Sequence, residues 1–217
     1  RWFKRPTPGH TYLVSLDPSM GTGGDFAAIQ VFELPTFEQV GEWQHNMTPM
    51  NQQIRILQGI NKHIHDTIIE QDSQASPQIF YSMENNTIGE AALMRVMDIG
   101  EENIEGMFLS EPIRKGHRRK FRRGFNTTAK FKIDACTKFK ELVEGGKMKI
   151  NSQLLISELK DFVATGLSYK AKPGQHDDLV MSCLLMTRMM KVLADFDPKI
   201  FEKWTDRSSE LTTPMPI

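Results

Sequence analysis

Residues 11–28, TYLVSLDPSMGTGGDFAA, limit the fold more than any other stretch. TYLVSL is a short apolar run of the kind that forms a buried strand, and Asp17 closes it. A carboxylate rarely ends a core strand unless it is paired or holds a metal, because desolvating the charge is costly. After it come Gly21-Thr22-Gly23-Gly24, then Asp25, then a second apolar run at residues 26–32. Two strands joined by a Gly-rich turn, with an acid ending the first, describe a candidate active-site edge. The same residues also suit a solvated β-turn, where Asp and Gly are the usual occupants. The rest of the chain has to decide between the two.

The remaining sequence alternates strand and helix patterns. Strands are expected at residues 11–16, 26–33 and 37–44, an antiparallel meander. Thr48-Pro49 opens a helix to about residue 69, with Ile54, Leu57, Ile60, Ile64 and Ile68 on one face. A strand at residues 78–83 ends at Glu84, a helix reaches about residue 97, and residues 104–109 form the next strand candidate. Further on, a helix is expected at residues 128–144, a short strand at 147–150 and a helix capped by Ser152 to about 162. An edge strand at 165–169 is followed by an apolar helix from Asp177-Asp178 to about residue 193. Residues 1–10 read as a linker, 11–194 as one domain and 195–217 as a polar tail.

Three acid positions share one context. Asp17 ends the first strand, Glu84 ends the fourth, and Asp177/Asp178 begin the last helix. The order strand–strand–strand–helix–strand–helix is that of an α/β, ribonuclease H-like (RuvC-type) fold with a mixed central sheet flanked by helices. In that fold the first and fourth strands are neighbours, so Asp17 and Glu84 are expected side by side. Converging carboxylates repel and take up protons unless a cation relieves them. Hard oxygen ligands suit Mg²⁺ or Mn²⁺, and two such ions can activate a water and stabilise the leaving oxygen of a phosphodiester.

The segments SLDPSMGTGGDFAA, SMENN and GQHDDLVMS, with residues 124–162 between the last two, resemble the nuclease domain of the large terminase subunit of tailed bacteriophages, especially its myophage branch. The resemblance implies a metal-dependent endonuclease that cuts concatemeric double-stranded DNA during genome packaging in the host cytoplasm. It implies a metal set of Asp17, Glu84 and one or both of Asp177 and Asp178, with Asp25 a further acid of the first motif. Aligning Asp-Asp-Leu with the Asp-Ala-Leu pattern of junction resolvases favours Asp177. His176 is either a supporting group or a simple loop histidine. The implied partners are an N-terminal ATPase on the same polypeptide, a viral portal and a small terminase subunit.

The 27 basic and 27 acidic residues cancel, so affinity for a polyanion must come from how charge is distributed. Seven of the ten residues 114–123 are Lys or Arg. With Lys130, the residues Arg114, Lys115, Arg118, Arg119, Lys120, Arg122 and Arg123 are the candidate DNA contacts, against a solvated loop as the plain alternative. Phe121 and Phe125 either stack on bases or, as we favour, anchor the segment. The methionines of the last helix read as core filler.

Cys136 and Cys183 lack metal-type spacing, which suits a reducing compartment. No apolar run has membrane-span length and the first residues do not resemble a signal peptide. Arg1 in place of Met suggests a piece of a longer protein. The sequence G-x-x-x-x-G-K-[ST] does not occur, so no phosphate-binding loop of a motor ATPase is present. Two other readings stay open at this stage: another ribonuclease H-like DNA enzyme, such as a junction resolvase or transposase, and a DNA-binding or docking module that does not cut.

Overall fold

The computed structural model describes residues 1–112, 123–166 and 168–196. Its centre is a five-stranded mixed sheet in the order β3-β2-β1-β4-β5. Strands β1 (Thr11–Asp17), β2 (Ala27–Leu34) and β3 (Glu38–His45) are antiparallel neighbours, the expected meander. β4 (Gln78–Met83) runs parallel to β1, in register from Thr11↔Gln78 to Leu16↔Met83. A parallel neighbour needs a crossover, and α1 (Met50–Gln71) supplies it.

Side-chain alternation sorts β1 and β4 onto two faces. Tyr12, Val14 and Leu16, with Ile79, Tyr81 and Met83, pack beneath α1 and α2 (Thr87–Ile99). On that side Ile54, Leu57, Ile64 and Ile68 of α1 are no more than 1% exposed, as the helical spacing predicts. The odd positions of β1 face the other way. Leu13 joins a second core under α3 (Ala129–Glu144), α4 (Gln153–Asp161) and α5 (Asp178–Phe196). There Ser15 and Ser182 fasten β1 to α5: each hydroxyl donates to the other's carbonyl, at 2.8 and 2.9 Å. Met186 and Met189 of α5 are fully buried, the core-filling role expected of them.

Several local expectations are corrected. The strand expected at 104–109 shrinks to β5 (Met107–Phe108), behind a 3₁₀ turn at Glu101–Asn103. Gly106 is the reason: it has φ +100°, and a Cβ there would lie 2.6 Å from the Ile79 carbonyl oxygen. Residues 147–150 form no strand and make one bridge, Lys149 to Glu38, because the Gly145-Gly146 turn and the Ser152 cap leave no length for more. The Ser152 hydroxyl does cap α4, accepting from Leu155 N–H at 3.0 Å. The single edge strand expected at 165–169 is a hairpin, β6 (Phe162–Thr165) with β7 (Ser168–Ala171). Of residues 1–10, expected as a linker, the first four lie along β3: Glu42 N–H donates to Arg1 O and Phe3 N–H to Val40 O, both at 2.9 Å.

Candidate functional site

The register of β1 and β4 creates the site. Leu16 pairs with Met83, so the next residues, Asp17 and Glu84, leave the sheet side by side and on the α5 face. Glu84 N–H donates to Leu16 O at 3.2 Å, which locks that juxtaposition. Burial together with the charge of the neighbouring Glu84 carboxyl drives the Asp17 carboxyl well above its ordinary range. Asp178 and Asp177 push it further in the same direction, Asp178 more strongly.

Glu84 is 8% exposed and held from three sides. Asn86 Nδ2 donates to its Oε2 at 2.8 Å, while Asn86 Oδ1 caps α2 by accepting from Gly89 N–H at 2.8 Å. Gly89 lets the first turn of α2 touch the strand end, since a Cβ there would lie 1.8 Å from the Glu84 carbonyl oxygen. On the third side Phe125 bridges to Glu84, with Asn85 N–H donating to Phe125 O at 2.7 Å. Phe125 is 1% exposed, so it anchors this segment as favoured from sequence; Phe121 lies outside the described residues.

The acid pair at α5 divides its work. Asp177 precedes the helix: its carbonyl accepts from Met181 N–H at 2.8 Å and its Oδ2 from Ala171 N–H at 3.0 Å, tying helix to hairpin. Burial pushes the Asp178 carboxyl up to about 6, opposed by the Phe26 N–H and His176 and reinforced by the charges of Asp25 and Asp177. Its Oδ2 is buried with no hydrogen-bond partner, and His176 Nδ1 stands 3.5 Å away. His176 is exposed and its ring meets Phe26 edge-on at 4.9 Å; Asp25 is exposed on the glycine turn.

Asp17 and Glu84 line a pocket of about 10 Å³, the space of one water, with Thr127, Lys132, Met181 and Arg188. Among the described residues, no three His, Cys, Asp or Glu side chains stand close enough together to hold an ion as they are. Asp17 and Glu84 meet directly, whereas Asp177, Asp178 and Asp25 act on them, or on one another, through charge.

Of the candidate DNA contacts, Arg114, Lys115, Arg118, Arg119, Lys120 and Arg122 lie outside the described residues. Arg123 pairs with Glu101, its guanidinium 5.2 Å from the Phe108 ring centre, so it holds the base of the basic run to the fold. Lys130 is exposed at the start of α3.

Sequence reasoning missed three groups. Arg188 was signalled by its setting, a cation followed by two methionines within an apolar helix. Asn86 ends the segment SMENN, where nothing local gave it a role. Glu158 of α4 carried no signal: it accepts from Val180 N–H at 3.1 Å across the α4–α5 contact, and burial pushes its carboxyl up to about 7.

This architecture is similar to that of known structures. A large terminase nuclease from the thermophilic phage G20c, with bound magnesium, matches 86% of this chain and 85% of its own at 17% identity, with a TM-score of 0.63. The large terminase nuclease domain of Thermus phage P74-26 gives 84%, 81%, 17% and 0.59. The human cytomegalovirus terminase nuclease domain, manganese-soaked and inhibitor-bound, gives 83%, 82%, 15% and 0.56. At such identities these matches establish a ribonuclease H-like fold. The model of the terminase RNaseH-like domain matches residues 14–189, spanning β1 to most of α5 and every acid discussed above, and the chain belongs to that family.

Proposed function

We propose that this chain is a metal-dependent DNA endonuclease that cuts concatemeric viral double-stranded DNA during genome packaging. The observation that carries the reading is the Asp17–Glu84 carboxyl pair, built side by side by strand register and with Asp17 driven toward protonation. Protein interiors do not assemble such a pair for stability, since each acid raises the cost of ionising the other.

In donor chemistry the residues fit a divalent cation, which would have to draw a third acid toward the Asp17–Glu84 pair. The donor set is hard oxygen, the Asp17 carboxyl is crowded by like charge, and Asp178 keeps one buried oxygen without a hydrogen bond. Asp17, Glu84 and Asp178 would hold Mg²⁺ or Mn²⁺, with Asp177 fixing the helix start that presents Asp178. Bound there, two ions would supply an activated water and charge stabilisation on the leaving oxygen. Asn86 orients Glu84 through its 2.8 Å hydrogen bond, the kind of outer contact that keeps a ligating carboxylate in one rotamer. Asp25 and His176 flank Asp178 from the loop side and tune its charge. The DNA path runs along residues 114–132, where neutralising one phosphate-binding cation should flatten the log–log salt dependence of binding by roughly one unit.

Within the family, the segments SLDPSMGTGGDFAA, SMENN and GQHDDLVMS favour the myophage branch. An N-terminal ATPase on the same polypeptide, a portal and a small terminase subunit are the partners this function requires. The setting is the host cytoplasm, and among the described residues no helix is long and apolar enough to cross a membrane.

The decisive experiment is nicking of supercoiled plasmid by the isolated chain. Cutting should require Mg²⁺ or Mn²⁺, stop on chelation and ignore ATP. Binding without metal-dependent cutting would instead identify a docking module, and a strong preference for branched over linear duplex would point to resolvase chemistry.

A further inference from the structure

Arg188 has no part in the proposed chemistry, yet it lines the same pocket as Asp17 and Glu84. Its side chain is 11% exposed, ten residues after Asp178 on the same helix. A buried guanidinium is expensive, and burial lowers this one to about 10 even though Glu84 opposes the shift. Its surroundings compensate. The guanidinium carbon lies 5.2 Å from the Phe125 ring centre and 4.8 Å from that of Phe131. Nη2 donates to Glu111 and, at 3.1 Å, to Asn126 O; Nη1 reaches Thr127 Oγ1 at 3.4 Å.

These partners share a location. Glu111 N–H also donates to Gly124 O at 3.2 Å, so residues 111 and 124–127 lie alongside one another. Between Gly124 and Asn126 sits Phe125, the residue that bridges to Glu84 and accepts from Asn85 N–H. The fork of Arg188 therefore joins the helix that begins with Asp178 to the segment that flanks Glu84.

We propose that Arg188 is a positioning residue of the acid centre. It clamps residues 111 and 126–127 onto α5 and, through Phe125, sets Glu84 relative to Asp17 and Asp178. The inference rests on the nuclease reading for its rate measurement and stands apart from it for its binding measurement. A planar fork can brace two segments at once, whereas a lysine keeps the charge but not the geometry.

The experiment compares wild type with Arg188→Lys and Glu111→Gln in three readouts: Mn²⁺ binding followed by electron paramagnetic resonance, kcat and KM for plasmid nicking, and melting temperature. Arg188→Lys should weaken Mn²⁺ binding and lower kcat by roughly 10- to 100-fold, the range typical of outer contacts to metal ligands, with KM for DNA within about twofold. Glu111→Gln, which strips the charge from one arm of the clamp and leaves the cation, should move both the same way by a smaller factor. A lowered melting temperature with Mn²⁺ affinity and kcat unchanged would overturn the proposal, leaving Arg188 a structural residue only. Should Arg188→Lys fail to fold, Glu111→Gln decides alone, and unchanged Mn²⁺ affinity in that variant sinks the idea. Wild-type protein that binds Mn²⁺ but cuts nothing would end the nuclease reading while leaving the clamp to be judged on affinity.

Discussion

Beneath α1 and α2, the sheet meets a largely apolar surface in which Val14, Leu16, Ile29, Val31, Ile54 and Leu57 are buried to 1% exposure or less, with Gln53 and Asn61 of α1 as buried polar exceptions. Beneath α3, α4 and α5, the same strands turn Ser15, Gln30, Ser82 and Glu42 inward, and two of them end in Asp17 and Glu84. Some polar groups on that side are fully partnered, while both Glu42 carboxylate oxygens are buried without a hydrogen bond. Gln39 accepts from the Asn151 and Ser152 N–H groups at 2.9 and 2.8 Å and donates to Gln30 at 2.7 Å, fastening the start of α4. One face supplies stability through burial, about 1.5–3 kcal/mol for each large side chain. The other gives up part of that gain to hold carboxylates at defined positions. The sheet is thus supported from behind and carries its acids in front, and each face can be tested against the other.

The largest contrast lies in catalysis. Asp17→Ala or Glu84→Ala should lower cleavage by on the order of 10²–10³-fold or more, the scale for losing one group that stabilises transition-state charge. The melting temperature should hold or rise, because removing one of two repelling carboxyls relieves the folded state. Wild-type cutting by either variant would remove the reactive face from the comparison.

Leu57→Ala is the opposite probe. With Leu57 at 0% exposure, the substitution should cost about 2–5 kcal/mol in urea unfolding and leave cleavage per folded molecule unchanged. A selective loss of activity would show that the two faces are coupled.

Within the reactive face, Asp178→Asn and Asp177→Asn should differ. The first should fall close to the Asp17 variants in cleavage, since Asp178 keeps a buried oxygen without a hydrogen bond and weighs more heavily on Asp17. The second loses strength in a helix-start contact to Ala171, worth about 0.5–2 kcal/mol, with a smaller effect on rate. The reverse order would restore the preference for Asp177 suggested by the resolvase pattern.

The smallest effect is on pH dependence. Asp178, raised to about 6, and Glu158, raised to about 7, hold protons in the folded state that the unfolded chain releases near their ordinary values of 3.8 and 4.5. Their stabilising contribution is full below those ordinary values and is lost as pH rises through the folded ones. The metal-free protein should therefore melt at progressively lower temperature from about pH 4 to 7. Glu158→Gln should flatten the upper part of that slope, and an unaltered profile would place the titrating groups elsewhere. Leu57→Ala should shift the whole curve without changing its shape.

Much of this was legible in the chain order. Apolar runs ending in Asp17 and Glu84, and an apolar helix opened by Asp177-Asp178, placed the acids at element ends. Those are local rules: where an apolar run stops determines where a strand's last residue falls. The sequence also signalled Phe125 as an anchor and the α5 methionines as filler, because apolar residues at regular spacing have few other places to go. Beyond the expected Asp17–Glu84 pair, only the tertiary structure decided which groups meet. The Glu158 carboxyl on the first turn of α5 and the Arg188 fork across residues 111 and 126–127 join segments whose separation along the chain carries no periodicity. Asn86 is only two residues from Glu84, yet their 2.8 Å bond depends on the turn that brings α2 back against the end of β4. The division between Asp177 and Asp178 was hidden because neighbouring residues at a helix start point about 100° apart, and local sequence does not say what stands in either direction. Only the hairpin that claims Asp177 leaves Asp178 with an oxygen to spare.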